Sequence, residues 1–187
     1  MIIGILSFQG DYYLHKRILD NLNVNSLFVN NVHSLNKTDA LIIPGGESSV
    51  ISNFLTKTNL DSEIIRYSLE KNVFGTCAGA IIMSSQCDDK HINTLNIINI
   101  KSFRNSWGKQ IDSFETRIKL SFNESFINAS FIRAPKIKSL STSVNILSTY
   151  KNEPILVRNK KHLASTFHPE LNEQSIIHKY FIGMVNE

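Results

Sequence analysis

Val73-Phe74-Gly75-Thr76-Cys77-Ala78-Gly79-Ala80-Ile81-Ile82-Met83-Ser84 decides the fold of this chain. A short apolar run ends in a G-x-C-x-G turn, and small apolar residues then continue at helical length. The order is strand, sharp turn, helix. The two glycines permit a turn tight enough to hold the central side chain in an exposed, strained position, the sulfur counterpart of a G-x-S-x-G nucleophile elbow. A helix that begins at such a turn favours a thiolate and directs backbone N–H groups at developing negative charge.

Upstream, residues 2–8 form an apolar run broken by Gln9-Gly10-Asp11. Asp11 is placed to cap a helix carrying Leu14, Ile18 and Leu22 at i, i+4, i+8. Residues 24–29 and 40–43 read as two more strands, the second ending at Pro44-Gly45-Gly46. Helical spacing follows in Val50 and Phe54 and again in Leu60, Ile64 and Leu69. Strands that alternate with helices and are apolar on both faces predict a mostly parallel sheet covered on both sides. Downstream, strand-like runs at 112–122, 131–134, 145–149, 155–158 and 162–167 have few helical stretches between them. They read as antiparallel hairpins feeding back into the sheet. Residues 173–185 carry Ile176, Ile177, Tyr180, Phe181 and Met184 at the spacing of an amphipathic helix. With no linker or internal repeat, residues 1–187 are expected to form one α/β domain with helices on both faces of the sheet.

Composition narrows the class. The 42% hydrophobic and 19% charged fractions over 187 residues exclude a disordered chain, and no apolar run reaches the ~18 residues of a membrane helix. The opening residues lack a basic n-region and meet Asp11 early, so they read as a buried strand rather than a signal peptide. Cys77 and Cys87 are too few for a disulfide framework or a four-thiolate zinc site, which points to the reducing cytoplasm. The formal charge of +4 is scattered, its densest cluster being Arg158, Lys160 and Lys161. A nucleic-acid footprint would be a stripe with interleaved aromatics, so none is expected.

Two further segments carry chemistry. In His168-Pro169-Glu170 the proline biases His168 to an extended conformation, and residues i and i+2 of an extended segment project to the same side. Glu170 can then accept from one imidazole nitrogen while the other faces a nucleophile, the base-plus-orienter half of a triad. His15, His33, His91, His162 and His178 have no such context and read as ordinary solvated side chains. In Pro44-Gly45-Gly46-Glu47-Ser48-Ser49 the glycines allow close backbone approach and can supply an oxyanion hole. The plainer reading of this segment is a strand-to-helix turn with Ser48 as N-cap. All three segments lie at the carboxyl ends of expected parallel strands, where open α/β sheets bind ligands.

P-G-G-E-S, G-T-C-A-G and H-P-E, in that order, resemble the triad class of glutamine amidotransferases. Four stretches narrow the resemblance to the glutaminase subunits of pyridoxal 5′-phosphate synthase: Phe8-Gln9-Gly10-Asp11; residues 104–115, of the form R-N-x-x-G-x-Q-x-D-S-F-E; Phe131-Ile132-Arg133-Ala134-Pro135; and Thr166-Phe167-His168-Pro169-Glu170-Leu171. The glutaminase of the histidine-pathway synthase shares the triad but not the second or third stretch. It and an inactive regulatory paralogue are the alternatives. The resemblance implies Cys77 as nucleophile, His168 as general base and acid, and Glu170 as its orienting partner. It assigns L-glutamine contacts to Gly46, Glu47, Ser48, Arg104, Ile132 and Arg133, and an oxyanion hole to the N–H groups of Gly46 and Ala78. The implied partner is a synthase subunit that receives ammonia and switches the glutaminase on, with the Gln9-Gly10 turn near both the hole and the docking face. No metal or cofactor is expected. Ser49, Trp107, Leu14 and Asn96 depart from the family pattern, where Thr, Phe or Tyr, an acid and Gly are usual. Asn96 tolerates positive φ. Residues 86–94 form a short segment.

Overall fold

The computed structural model describes residues 1–104, 106, 113–172 and 175–187. The chain runs β1 (Ile2–Leu6), α1 (Tyr12–Asn21), β2 (Asn25–Val29), α2 (Val32–Leu35), β3 (Ala40–Ile43), α3 (Ser48–Lys57), α4 (Leu60–Ser68), β4 (Asn72–Thr76), α5 (Ala78–Met83). It continues through β5 (Ser84–Cys87), β6 (Ile98–Phe103), β7 (Phe114–Leu120), β8 (Asn123–Phe131), β9 (Lys136–Ser139), β10 (Asn145–Tyr150), β11 (Glu153–Arg158), β12 (Leu163–Ser165) and α6 (Ile176–Val185). A seven-stranded sheet has the order β10-β11-β12-β4-β3-β1-β2. Its pairs from β12 through β4, β3 and β1 to β2 are parallel, and those joining β10, β11 and β12 are antiparallel. The mostly parallel α/β architecture read from the sequence is therefore the one observed.

The two periods of the chain build two cores. Every residue of β3 is buried, with Leu41 and Ile43 facing one side and Ala40 and Ile42 the other, as a strand's alternation requires. On the first side Leu6, Leu41, Ile43 and Val73 pack against Ile51 and Leu55 of α3, Leu60 and Ile64 of α4 and the apolar side chains of α5. On the second, Ile3, Ile5, Ile42 and Phe74 pack against Leu19 of α1 and Ile177, Phe181 and Met184 of α6.

Several expectations need correction. Only β10, β11 and β12 extend the main sheet. β7 and β8 form a separate hairpin, and β5, β6 and β9 a three-stranded sheet. The run at 131–134 is the end of β8 rather than a strand: at Arg133 the backbone takes φ 44° and cannot continue the ladder. Asp11 occupies the N-cap of α1 but makes no side-chain capping bond, and Glu47, not Ser48, is the N-cap of α3. The helical stripes are also offset. α1 buries His15, Ile18 and Leu19, α3 buries Ile51 and Leu55 while Val50 is exposed, and Leu69 lies open to solvent past the end of α4. Of the expected helix 173–185, residues 173 and 174 lie outside the described residues, as do 105 and 107–112 of the 104–115 stretch. Asn96 does take a positive φ, 52°. Among the described residues no helix is long and apolar enough to cross a membrane.

The elbow between β4 and α5 depends on backbone crossing. A Cβ at Gly75 would come within 2.6 Å of the Gly79 carbonyl carbon, and one at Gly79 within 2.0 Å of the Ile43 carbonyl oxygen. Neither neighbour is a flexible side chain, so a methyl group must push the strand and helix apart. Gly79→Ala is expected to destabilise the fold by about 1–3 kcal/mol, the usual cost of overpacking, read as a lower urea midpoint at unchanged m-value. An unaltered midpoint would mean that α5 does not approach β3 this closely.

Candidate active site

Cys77 sits between β4 and α5 with φ 49° and ψ −104°, strained for a residue with a Cβ. Its N–H donates to the Ser165 carbonyl at 2.8 Å, tying the elbow to β12. The strain matches the sequence reading but the exposure does not: Cys77 is only 6% exposed. Its thiol points at the Ile132 carbonyl, 3.7 Å away, and lines a small pocket. That pocket, about 160 Å³, is bounded by Asp11, Gly46, Glu47, Ser48, Cys77, Ala78, Ile81, Arg104, Ile132, Arg133 and His168. Residues singled out in distant segments thus share one cavity, and Asp11 and Ile81 are additions.

His168 closes the pocket beside Cys77. Its N–H donates to the Ser130 carbonyl at 2.9 Å, a bridge that lays the segment against β8. The ring leans over Gly45, where a Cβ would fall 2.4 Å from Cε1. Nδ1 is 2.7 Å from Oε1 of Glu170. Glu170 itself lies behind the imidazole, fully buried. Burial opposes protonation of His168, yet the Cys77 sulfur and the Glu170 carboxylate outweigh it and lift the imidazolium to about 11. Burial would likewise raise the Glu170 carboxyl, but the His15 and His168 rings against it hold it at about 2. The pair is therefore a charged couple, imidazolium on carboxylate. Asp11, His168 and Glu170 each present an atom within 4.8 Å of the others.

The rest of the wall is backbone and charge. Ala78 opens α5, so its N–H has no intrahelical acceptor. Gly46 takes φ 152°, and Gly10 takes φ 89° directly against Gly45, whose carbonyl oxygen would be 1.7 Å from a Gly10 Cβ. The Gln9-Gly10 turn therefore abuts the Gly45-Gly46 peptide. The Gly45 N–H is already used, donating to Thr76 Oγ1 at 3.0 Å. Arg104 is clamped: Nη2 is 2.8 Å from Glu47 Oε1, Nη1 pairs with Asp89, and its backbone N–H donates to Asp88 at 3.0 Å. Arg133 is exposed and has no acidic partner among the described residues.

Two residues read from the sequence as solvated belong to the site's interior. His15 and His178 are both fully buried, and their rings meet behind Glu170. His162 is buried as well, and its Nδ1 accepts from the Val73 N–H at 3.3 Å. A signal for the first two exists: His15 lies three and four residues before Ile18 and Leu19, and His178 three before Phe181, so each shares its helix's apolar stripe. Asp89, in the segment 86–94, carries no signal of its own.

Residues 5–187 match the SNO glutamine amidotransferase family. A protein from Thermosipho africanus named pyridoxal 5′-phosphate synthase subunit PdxT is 40% identical over the full length of both chains. One of the same name from Fervidobacterium nodosum is 39% identical over all of this chain and 98% of its own. A solved structure described as a glutamine amidotransferase superposes with a TM-score of 0.94 at 33% identity, covering both chains completely. PurLQS from Thermotoga maritima, at 13% identity and a TM-score of 0.72 over 99% of this chain and 96% of its own, shares the fold.

The buried neutral histidines set an acid limit on stability. Burial holds His162 at about 4 and His178 at about 3, whereas unfolded histidine titrates near 6.5. Below that value the unfolded chain takes up protons that the folded chain refuses. Their contribution to stability is therefore complete above about pH 6.5 and is lost as the pH drops towards 4, by up to ~1.4 kcal/mol per pH unit for each such histidine. Urea midpoints between pH 6.5 and 4.5 should show this decline, with a shallower slope in His162→Asn. A flat profile over that range would place both rings in water.

Proposed function

The chain belongs to the SNO glutamine amidotransferase family, and from that premise we propose that it hydrolyses L-glutamine through Cys77, His168 and Glu170 and hands the ammonia to a partner subunit of pyridoxal 5′-phosphate synthase. The observation that carries the reading is the Nδ1–Oε1 contact of 2.7 Å between His168 and Glu170, with the same imidazole facing Cys77 across the pocket. Cys77 Sγ, its proton passed to His168, attacks the side-chain amide carbon, and the electrons of the carbonyl become an oxyanion held by the N–H groups of Gly46 and Ala78. Collapse of that intermediate breaks the C–N bond, with the His168 proton leaving on ammonia. Water, giving its proton to His168, then attacks the γ-glutamyl thioester, releases glutamate and restores the thiol. Glu170 keeps the imidazole aligned through both steps.

Substrate recognition follows the charges on the wall. The α-carboxylate goes to Arg133, the cation without an acidic partner among the described residues, and the carbonyl of Ile132 and the carboxylate of Glu47 are the acceptors for the α-ammonium group. Arg104 holds Glu47 in place through their 2.8 Å ion pair. Gly46 and Ser48 complete the wall. The pyridoxal-phosphate assignment is supported by the names of the full-length relatives. Both cysteines are free thiols, which suits the reducing cytoplasm and a nucleophilic role for one of them.

Cys77→Ala should abolish ammonia and glutamate release from L-glutamine in the presence of the synthase partner, with the far-ultraviolet spectrum unchanged. Cys87→Ser, at the half-buried end of β5, should keep it. The reverse pattern would make the nucleophile assignment wrong. Arg133→Ala should raise KM with little change in kcat, since a carboxylate contact binds ground and transition states alike. Loss of one charge-assisted hydrogen bond corresponds to about 1.5–3 kcal/mol. Arg104→Ala should raise KM as well, by releasing Glu47. Unchanged KM in both variants would take the arginines out of the substrate site.

A further inference from the structure

Behind Glu170 lies a set of polar contacts that the glutaminase chemistry does not use. Oε2 of Glu170 is buried and has no hydrogen-bond partner at normal distance among the described residues; Nε2 of His15 approaches it to 3.5 Å. The other nitrogen of His15, Nδ1, is 2.8 Å from Nε2 of His178, whose own Nδ1 is buried without a partner among the described residues. Thr76 Oγ1, which accepts the Gly45 N–H at 3.0 Å, is 3.4 Å from His15 Nε2. The cluster joins α1, α6, the end of β4 and the segment after β12, with Phe74 edge-on to both rings.

Tautomer logic gives these contacts a direction. If His15 carried its proton on Nδ1 and gave it to His178, then His178 Nδ1 would hold a buried N–H with no acceptor. The bare Nε2 of His15 would at the same time face a carboxylate oxygen. An orphaned buried donor is rarer and costlier than an orphaned lone pair. The arrangement that avoids both faults has His178 Nε2–H donating to His15 Nδ1, and His15 Nε2–H pointing at Glu170 Oε2. His168 Nδ1–H then donates to Oε1, leaving the far nitrogen of His168 for Cys77. We propose that His15, set in its tautomer by His178, is a positioning residue that fixes the Glu170 carboxylate from behind and so holds His168 in register with Cys77.

The electrostatic surroundings agree. Burial lowers the His15 pKa, with Glu170 and the more distant Asp11 raising it and His168 lowering it further. Burial and His15 both lower His178, against Glu170. Both rings are thus neutral donors rather than cations at neutral pH. A neutral donor braces the carboxylate without competing with His168 for its charge, so the imidazolium keeps the whole counter-ion. The contact of Thr76 with both His15 and Gly45 places the same ring beside the peptide next to the oxyanion hole.

The proposal deepens the glutaminase reading and rests on it, so the test includes a readout independent of glutamine turnover. In the Cys87→Ser chain, Cys77 is alkylated with iodoacetamide from pH 5 to 10, which reads the Cys77–His168 pair as a unit. Glutamine hydrolysis is followed with the synthase partner present. His15→Phe should move the acid limb of the alkylation profile upward by about one pH unit and lower kcat about tenfold to a hundredfold, with KM within roughly twofold of the parent. His15→Gln, whose amide nitrogen reaches the position of Nε2, should recover most of both. His178→Phe, which leaves the His15 ring in place but frees its tautomer, should fall between them. The proposal is overturned by an unmoved profile in His15→Phe, whatever happens to kcat, because a purely structural role lowers activity without touching the pair. It is equally overturned if His15→Gln folds and is as impaired as His15→Phe. Should His15→Phe fail to fold, the Gln and His178→Phe profiles decide, and two parental profiles would end it. A parent chain that alkylates normally but never hydrolyses glutamine would instead defeat the glutaminase reading, and the alkylation series would still judge His15.

Discussion

At Cys77 the chain must turn through φ 49° and ψ −104°, a conformation that costs a residue with a Cβ about 1–3 kcal/mol. It persists because its surroundings over-determine it. β4 is a central strand, paired in parallel with β3 on one side and β12 on the other, so its end cannot shift. The Cys77 N–H is held by Ser165, and α5 returns over the strand through contacts that only glycine permits at residues 75 and 79. The parallel sheet then places the ends of β3, β4 and β12 side by side. Each of those strand ends leads into one part of the site: the Gly45-Gly46 loop, Cys77, and the His168 segment.

The second dependency is a buried charge. A fully buried carboxylate is tolerated only when its oxygens are met by donors or opposite charge. Glu170 meets His168 on one oxygen and faces His15 with the other. The contact on the first side is electrostatic, since it sets the charge of the imidazole that faces Cys77. Those on the second side are architectural, since they reach α1 and α6, two helices packed on the same face of the sheet. The carboxylate thus links the pocket to the second core.

The parts of this arrangement set by local backbone chemistry could be read in the sequence. Glycine spacing around Cys77, the extended His168-Pro169-Glu170 and the double glycine after an apolar run each imply a geometry within a few residues, and the structure brings them around one pocket. What depended on tertiary placement could not be read so directly. Nothing local distinguishes a strand that joins the main sheet, such as β10, from β7 and β8, whose ladder is with each other. The stripe of α1 lies one position away from its apolar pattern because Leu14 is more hydrophobic than His15, although His15 is the residue facing the core. A histidine counts as polar in such a pattern until its partners are known, and here they come from residues 170 and 178.

Arg104 shows the same division from the substrate side. A guanidinium near a pocket that recognises an amino acid reads as a carboxylate ligand, but here its fork is occupied by Glu47 and Asp89. The three side chains are 22%, 34% and 28% exposed, and ion pairs this accessible contribute little to stability. Their effect is geometric. Glu47 stands at the start of α3, on the loop that carries Gly46, whereas Asp89 lies between β5 and β6 in the small sheet. Arg104 therefore joins the Gly45-Gly46 loop to a separate layer of the fold, with its own backbone fastened to Asp88. A wall assembled this way keeps one carboxylate aimed into the pocket and leaves Arg133, on its positive-φ turn after β8, as the cation open to a ligand.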